Sequence, residues 1–366
     1  MSVWFSASAV APALRAEWSL SAEGAVLLAA TVQLGFAAGA VVSTALNLAD
    51  RFGPHVLMSC GALLAAAATA TLPLCQGPWL GVPLRLLTGF ALAAVYPIGM
   101  KVVVSWFPRG RGIALGVLLA ALTVGSAMPN LLTALGPLRW RTVLFSAAAL
   151  AALGALLALA FVRAGPGVPT SPPWQPRYVV RMFQDRRQRL VCLGYFGHMW
   201  ELYALWAWLP TYLGAGSGLR AFTVIGMCGA AGCLVGGVLA DRYGRVAVAR
   251  GAMLASGACC LLSVPAFGTV LLVPVLLVWG FAVIADSGLF AAALSEFADP
   301  RYVGTALTAM NAIGFVVSVV TIQLLPLLAD AVGWRDAVPL LSVGPLLGAL
   351  ALSRLGAPVT ARRATG

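Results

Sequence analysis

The sequence predicts an all-α membrane protein of twelve membrane-crossing segments, arranged as two parallel six-helix bundles. Three observations carry this. The chain of 366 residues is 61% hydrophobic and only 9% charged, where soluble domains carry roughly 25% charged residues. Such a chain cannot cover a water-facing surface. Its charges are confined to short stretches between long apolar runs. Features of the first half also recur about 191 residues later.

A spanning helix needs about 20 apolar residues. Residues 2–14 form a first segment that is too short. The second covers about 24–48 and the third about 56–74, before the turn Gln76-Gly77-Pro78. The fourth, about 81–104, carries Arg85 and Lys101 and ends at the loop Phe107-Pro108-Arg109-Gly110-Arg111. The fifth covers about 112–135 and the sixth about 142–162. A linker rich in Pro and Arg, 163–189, divides an N-terminal bundle (1–162) from a C-terminal one (190–353), with a tail over 354–366. The seventh and eighth segments cover about 190–213 and 221–240. The uncharged run 251–285 is too long for one span, so it divides near 265–269 into the ninth and a tenth ending about 294. The eleventh covers about 302–328 and the twelfth about 337–353.

Basic loop residues set orientation. Counted over the loops, sixteen Arg fall on the side of the linker and tail and five on the other. The linker and C-terminus are therefore expected in the cytoplasm, with the protein in the plasma (inner) membrane. Net charge is +12, but the basic residues are spread over loops rather than gathered in a stripe, which argues against a nucleic-acid partner. The seven Cys include no C-x-x-C and read as buried apolar residues. His55 and His198 lack metal-site spacing, so neither metal nor cofactor is expected. No positive n-region marks a cleavable signal peptide.

The repeat is visible in several places. Asp50 and Asp241 are 191 apart, as are Gly89-Phe90-Ala91 and Gly280-Phe281-Ala282. Gly112 and Gly304 are 192 apart, and Trp140-Arg141 and Trp334-Arg335 are 194 apart. Matching Pro12 to Pro210 gives 198, which puts the partner of the seventh segment's start before Met1. The first helix is thus expected to lack about two turns, through a late start site or a true truncation.

Two loops resemble each other and a known signature. Gly237-Val238-Leu239-Ala240-Asp241-Arg242-Tyr243-Gly244-Arg245 joins the eighth and ninth segments, and Asn47-Leu48-Ala49-Asp50-Arg51-Phe52-Gly53 joins the second and third. The chain resembles the major facilitator superfamily, whose loop signature is G-x-L-a-D-r-x-G-r. In the earlier copy Leu46 replaces the first Gly, and Pro54 and His55 replace basic residues. The resemblance implies the major facilitator fold, a parallel repeat of six segments, and segments one, four, seven and ten around a central crevice. It implies a gating role for Asp50, Arg51, Gly53, Gly237, Asp241, Arg242, Gly244 and Arg245. Asp50 and Asp241 could each cap a neighbouring helix N-terminus and hold the cytoplasmic gate shut.

Ionisable residues within a bilayer are costly and mark cavities or partners. Five remain once loops are set aside: Arg85, Lys101, His198, Glu201 and Asp286. All fall on segments four, seven and ten. His198 and Glu201 are three apart and share a helix face, near the depth where alternating-access carriers place their sites. Burial disfavours a charged carboxylate, so Glu201 and Asp286 are candidates to load and release a proton, with His198 beside them. Each has a plain structural alternative as a paired or backbone-bonded group. Arg85 and Lys101 could attract an anionic substrate or snorkel to an interface. Arg85-x-x-x-Gly89 resembles the family's fourth-helix motif. Trp200 and Tyr203 share the side of His198 and Glu201 better than Trp206 and Trp208, and are candidate substrate contacts. Gly116, Gly125 and Pro129 loosely resemble an antiporter pattern. The stretch 195–210, with His-Met-Trp-Glu-Leu-Tyr at its centre, is similar to nitrate- and cyanate-type permeases, but the second and eighth helices lack the Arg of nitrate carriers.

The expected protein is thus a monomeric secondary transporter. It moves a small polar or anionic organic solute through the lipid bilayer by alternating access, with protons as coupling ion. Alternatives are a proton-driven drug exporter, and a transport-incompetent receptor or scaffold on the same fold. No nucleophile–base pairing, metal cluster or phosphate loop points to an enzyme.

Overall fold

The structure is a computed structural model that describes residues 1–107, 110–136, 139–166, 175–214 and 216–355, apart from the side chains at 22, 23, 25, 26, 50 and 111. All regular structure among these residues is helical. In hydrocarbon a helix is one of the two ways a segment can satisfy its own backbone.

The chain opens with two short helices, α1 (Ser6–Ala9) and α2 (Ala11–Glu17), followed by α3 (Ala22–Ala45), capped by Ser21 Oγ accepting from Gly24 N at 3.1 Å. The first signature loop holds one helical turn, α4 (Leu48–Arg51), entered through Asn47 in the left-handed region at φ 49°. Pro54 starts α5 (Pro54–Thr71), where its missing N–H costs nothing. The fourth segment is two helices, α6 (Pro78–Leu92) and α7 (Tyr96–Trp106). Between them Ala94 N and Val95 N turn back to Ala91 O and Leu92 O at 3.1 and 2.9 Å, one residue short of helical spacing. Then follow α8 (Arg111–Ala134), α9 (Trp140–Phe161), a linker helix α10 (Pro176–Gln184) and α11 (Arg186–Leu213). Asp185 caps α11 by accepting from Gln188 N at 2.9 Å, so the seventh segment's helix begins inside the expected linker.

The eighth segment is α12 (Gly218–Phe222), a π-helical turn (Thr223–Cys228) and α13 (Gly229–Tyr243). Next come α14 (Arg245–Ala266) and a tenth segment broken into α15 (Leu272–Ala285) and α16 (Ser287–Phe297). The break is at Asp286, whose carbonyl accepts from Leu289 N at 2.9 Å. Val95 and Asp286 are 191 apart, so the two breaks belong to the repeat. The chain ends with α17 (Val303–Val332), α18 (Trp334–Ala337), a 3₁₀ turn and α19 (Val343–Ser353).

Ten of these segments are long and apolar enough to cross a membrane by length and composition. The other two are α11, whose 28 residues include His198 and Glu201, and the short α1–α2 pair. Leu153, Leu156, Leu157 and Phe161 of α9 are exposed, as a lipid-facing side requires.

Glycines let the helices touch at matching places in the two halves. A Cβ on Gly89 would lie 1.9 Å from Val32 O, and one on Gly280 would lie 2.2 Å from Val224 O. Likewise Gly39 meets Phe90 O at 2.5 Å and Gly232 meets Phe281 O at 2.1 Å. The halves join along two lines, α3 with α17 and α8 with α13. Thr44 and Thr308 share a hydrogen bond of 2.8 Å on the first line.

Candidate functional site

A cavity of about 730 Å³ lies between the halves. Its walls come from α3, α7, α8, α13, α16 and α17. Its deep end is apolar, with Phe36, Ala93, Leu119, Cys233 and Leu289. Towards the linker side it carries Asn47, Lys101, Asp241, Arg245 and Glu296. At the other side the bundle is closed by a cluster of aromatic rings from both halves. Phe36 and Phe315 have centroids 4.5 Å apart, Trp4 lies 5.1 Å from Phe36, and Tyr203 lies 5.2 Å from Phe315. Phe5 meets Trp206 edge-on at 5.6 Å.

Of the five intramembrane ionisable residues only Lys101 lines this cavity among the described residues. Segments four and ten do form its walls, but one and seven do not: the aromatic rings stand between α11 and the hollow. Arg85 is 1% exposed and points elsewhere. Its guanidinium donates to Val3 O at 2.8 Å, to Trp4 O, and to Leu28 O at 3.4 Å. Its donors thus tie the start of the chain and α3 to α6, rather than meeting an anion. Trp200 meets different neighbours from Tyr203. It donates to Leu340 O at 3.0 Å and packs on Gly344, whereas Tyr203 sits in the aromatic cluster. Three residues along a helix leave these directions about 60° apart, enough for Trp200 to meet the last segment while Tyr203 and Trp206 meet the rings.

The three remaining residues are buried together in the C-terminal bundle: His198, Glu201 and Asp286 are 3, 2 and 2% exposed. Glu201 Oε1 accepts from Ser256 Oγ at 2.8 Å and from Trp279 Nε1 at 2.6 Å. This ties α11 to α14 and α15. Seven residues further along the tenth segment, His198 Nδ1 lies 2.8 Å from Asp286 Oδ1. That contact is close but not aligned as a hydrogen bond, for Asp286 Oδ1 is buried with no hydrogen-bond partner. On the other edge of the ring, His198 Nε2 and Ser287 Oγ are 2.8 Å apart. Both tethers run between antiparallel segments, so the deeper acid meets the earlier residue of the tenth segment. Asp286 sits where that segment breaks, at the start of α16, and the positive end of a helix favours a carboxylate there.

The family is settled by comparison. Residues 1–322 match the Major Facilitator Superfamily. The chain belongs to this superfamily. It is 30% identical over 281 residues to a gallate transporter from Pseudomonas putida, an alignment that covers 64% of this chain and 61% of that protein. The chain thus spans less than two thirds of this curated relative. Its fold is similar to that of the xylose transporter XylE from E. coli in a partially occluded inward-open conformation, with a TM-score of 0.75 at 14% identity over 97% of this chain and 94% of the other. Both relatives are transporters, not enzymes.

The superfamily's loop signature takes a definite shape here. Gly244, at φ +87°, makes the turn between α13 and α14. A Cβ on Gly237 would lie 2.7 Å from Gly112 O, and one on Gly112 would lie 2.7 Å from Asp241 Oδ1. The carboxylate of Asp241 therefore stands at the N-terminus of α8, in the other half. This contact coexists with a cavity that reaches the linker side, so it does not by itself close that side. Arg245 pairs with Glu296 across α14 and α16. Arg242 stacks on Tyr243. In the earlier copy Arg51 is exposed and Gly53 precedes α5, while the side chain of Asp50 lies outside the described residues.

Sequence reasoning missed Ser256, Trp279 and Ser287. They lie in segments far from His198 and Glu201 along the chain, in runs of small or apolar residues that carry no motif. It also missed Asn311, which lines the cavity and accepts from Tyr195 Oη at 2.9 Å. Only the adjacency of Asp286 and Ser287 was a usable signal.

Proposed function

We propose that this protein is a monomeric, proton-coupled secondary carrier of a small organic anion with an apolar, ring-sized body. It works by alternating access in the plasma membrane with its linker and C-terminus in the cytoplasm. The observation that carries this is one hollow, shared by both halves and closed at one end by aromatic rings, with a buried His–Asp pair directly behind its wall. At about 730 Å³ it falls in the ~300–1,000 Å³ range of small-molecule sites. The apolar deep end suits a ring, and Lys101 towards the mouth is the cation that supports an anion, while Arg245 there is paired with Glu296. The gallate transporter among the relatives supports an aromatic carboxylate as the first solute to try.

Asp286 is the better proton carrier of the two acids. Ala285, Gly288 and Leu289 beside it line the cavity, whereas no neighbour of Glu201 on α11 does. Glu201 also holds two donors that fix it in place.

The test uses purified protein in liposomes with gallate. A pH gradient, alkaline inside, should drive accumulation, and Asp286→Asn should abolish it while leaving counterflow exchange. Glu201→Gln should keep driven uptake. Uptake indifferent to the gradient would end the proton reading, and no exchange of gallate or related aromatic acids would favour a scaffold.

A further inference from the structure

The geometry points to Ser287 as the port through which protons pass between the cavity and Asp286, by way of His198. This rests on the proton-coupled reading above and adds a residue to it. Three observations place Ser287 there. It is half-buried, whereas His198 and Asp286 are buried. Gly288 and Ala291, one and four residues on along α16, line the cavity wall. Its hydroxyl is 2.8 Å from His198 Nε2, and the ring's other nitrogen is 2.8 Å from Asp286 Oδ1. The three groups form one file that starts just behind Gly288 and runs inwards, ending on a carboxylate oxygen with no aligned hydrogen bond.

The transfer balances without a co-reactant. Water in the cavity gives a proton to Ser287 Oγ, whose own proton passes to His198 Nε2. A small turn of the imidazole aligns Nδ1–H on Asp286 Oδ1, 2.8 Å away, and His198 gives it that proton. One proton has moved from water to the carboxylate, and the imidazole has changed tautomer. Release along the same file restores it. Because Ser287 stands next to Gly288 of the wall, water in the hollow reaches it from whichever side the hollow opens to. The other titratable groups around this file are Glu201 and Tyr195 on α11, Cys233 on α13 and Tyr96 on α7.

The same residue types in the same order activate a serine nucleophile in hydrolases. The relay and the nucleophile make different predictions. Infrared difference spectra of the full chain in liposomes, without any solute, would follow hydrogen–deuterium exchange of the Asp286 carboxyl band, assigned by its loss in Asp286→Asn. In Ser287→Ala the band should persist but exchange at least about 100-fold more slowly, the low end of what a positioned proton-transfer group contributes. Ser287→Thr, which keeps a hydroxyl, should restore the rate. Unchanged exchange in Ser287→Ala, or failure of threonine to rescue it, would overturn the port. Rapid covalent labelling of Ser287 by a fluorophosphonate would overturn it too, in favour of a nucleophile. Because no transported solute enters the measurement, the port can fail or stand independently of the carrier reading.

Discussion

Arg85 shows how a single side chain can be mistaken for a substrate ligand. A charge at that depth must find partners, and it finds three carbonyls from two segments: Val3, Trp4 and Leu28. The planar fork of arginine reaches all three, and the ammonium of lysine cannot. Each charge-assisted bond lost costs about 1.5–3 kcal/mol. Arg85→Lys should therefore lower the unfolding midpoint of the detergent-solubilised protein, read by differential scanning fluorimetry. A variant melting with the wild type would remove the clamp. Glu201 invites a parallel test. Glutamine keeps an oxygen for Ser256 and Trp279, so Glu201→Gln should melt close to the wild type. Leucine would leave a buried hydroxyl and a buried indole N–H without their acceptor, at about 1–3 kcal/mol each. If leucine and glutamine melted alike, the tether would contribute nothing to stability.

At the scale of helices, the two halves are held together internally by close crossings that the repeat duplicates. Gly89 and Gly280 occupy equivalent positions, 191 apart, and each faces a carbonyl that a methyl group would strike. Overpacking such a contact typically costs about 1–3 kcal/mol. Gly89→Ala and Gly280→Ala should each lower thermal stability, whereas Gly154→Ala, with nothing within 4 Å of its Cβ on α9, should be neutral or raise it. Equal effects at all three positions would mean that the crossings are looser than they look. Much of this architecture was legible in the sequence, because apolar runs must be helices in hydrocarbon and the 191-residue repeat fixes their correspondence. The breaks at 93–95 and 286 were not legible. The first lies in the uniform run Leu92-Ala93-Ala94-Val95, where nothing but Pro97 in the next turn hints at an interruption. The rotation of α11 was also hidden. Both of its buried sides carry aromatic residues, so the sequence could not tell Trp200, which faces α19, from Trp206, which faces the aromatic cluster. The pairing of His198 with Asp286 depends on α11 and the tenth segment running side by side, a contact between residues 88 apart in the chain that no local pattern records.

For the whole molecule, the distribution of contacts says which motion is available. The lines α3–α17 and α8–α13 join the halves along their length, while α7 and α16 face each other across the hollow. Bodies joined along two such lines can rock, opening one end as the other closes. The aromatic rings of Trp4, Phe36, Tyr203 and Phe315 come from both halves, so opening the far side must part them. Asp241 at the N-terminus of α8 lies on the pivot line, which explains how its contact can exist while the linker side is accessible. The expected state at rest is then open to the cytoplasm, and the wall position Ser43 can report it. Ser43→Cys in a Cys60→Ser background, which removes the exposed native thiol, should react with a membrane-impermeant maleimide in inside-out vesicles and not in right-side-out ones. Gallate should protect it, either by filling the hollow or by drawing the halves into the other state. Substituting Phe315 with alanine should weaken the aromatic closure, and with it the preference for the inward-facing state, so that Ser43→Cys labels more slowly from the inside. Labelling from the outside face at rest would reverse the assigned orientation, and labelling unaffected by Phe315→Ala would show that the ring cluster does not hold the far side shut.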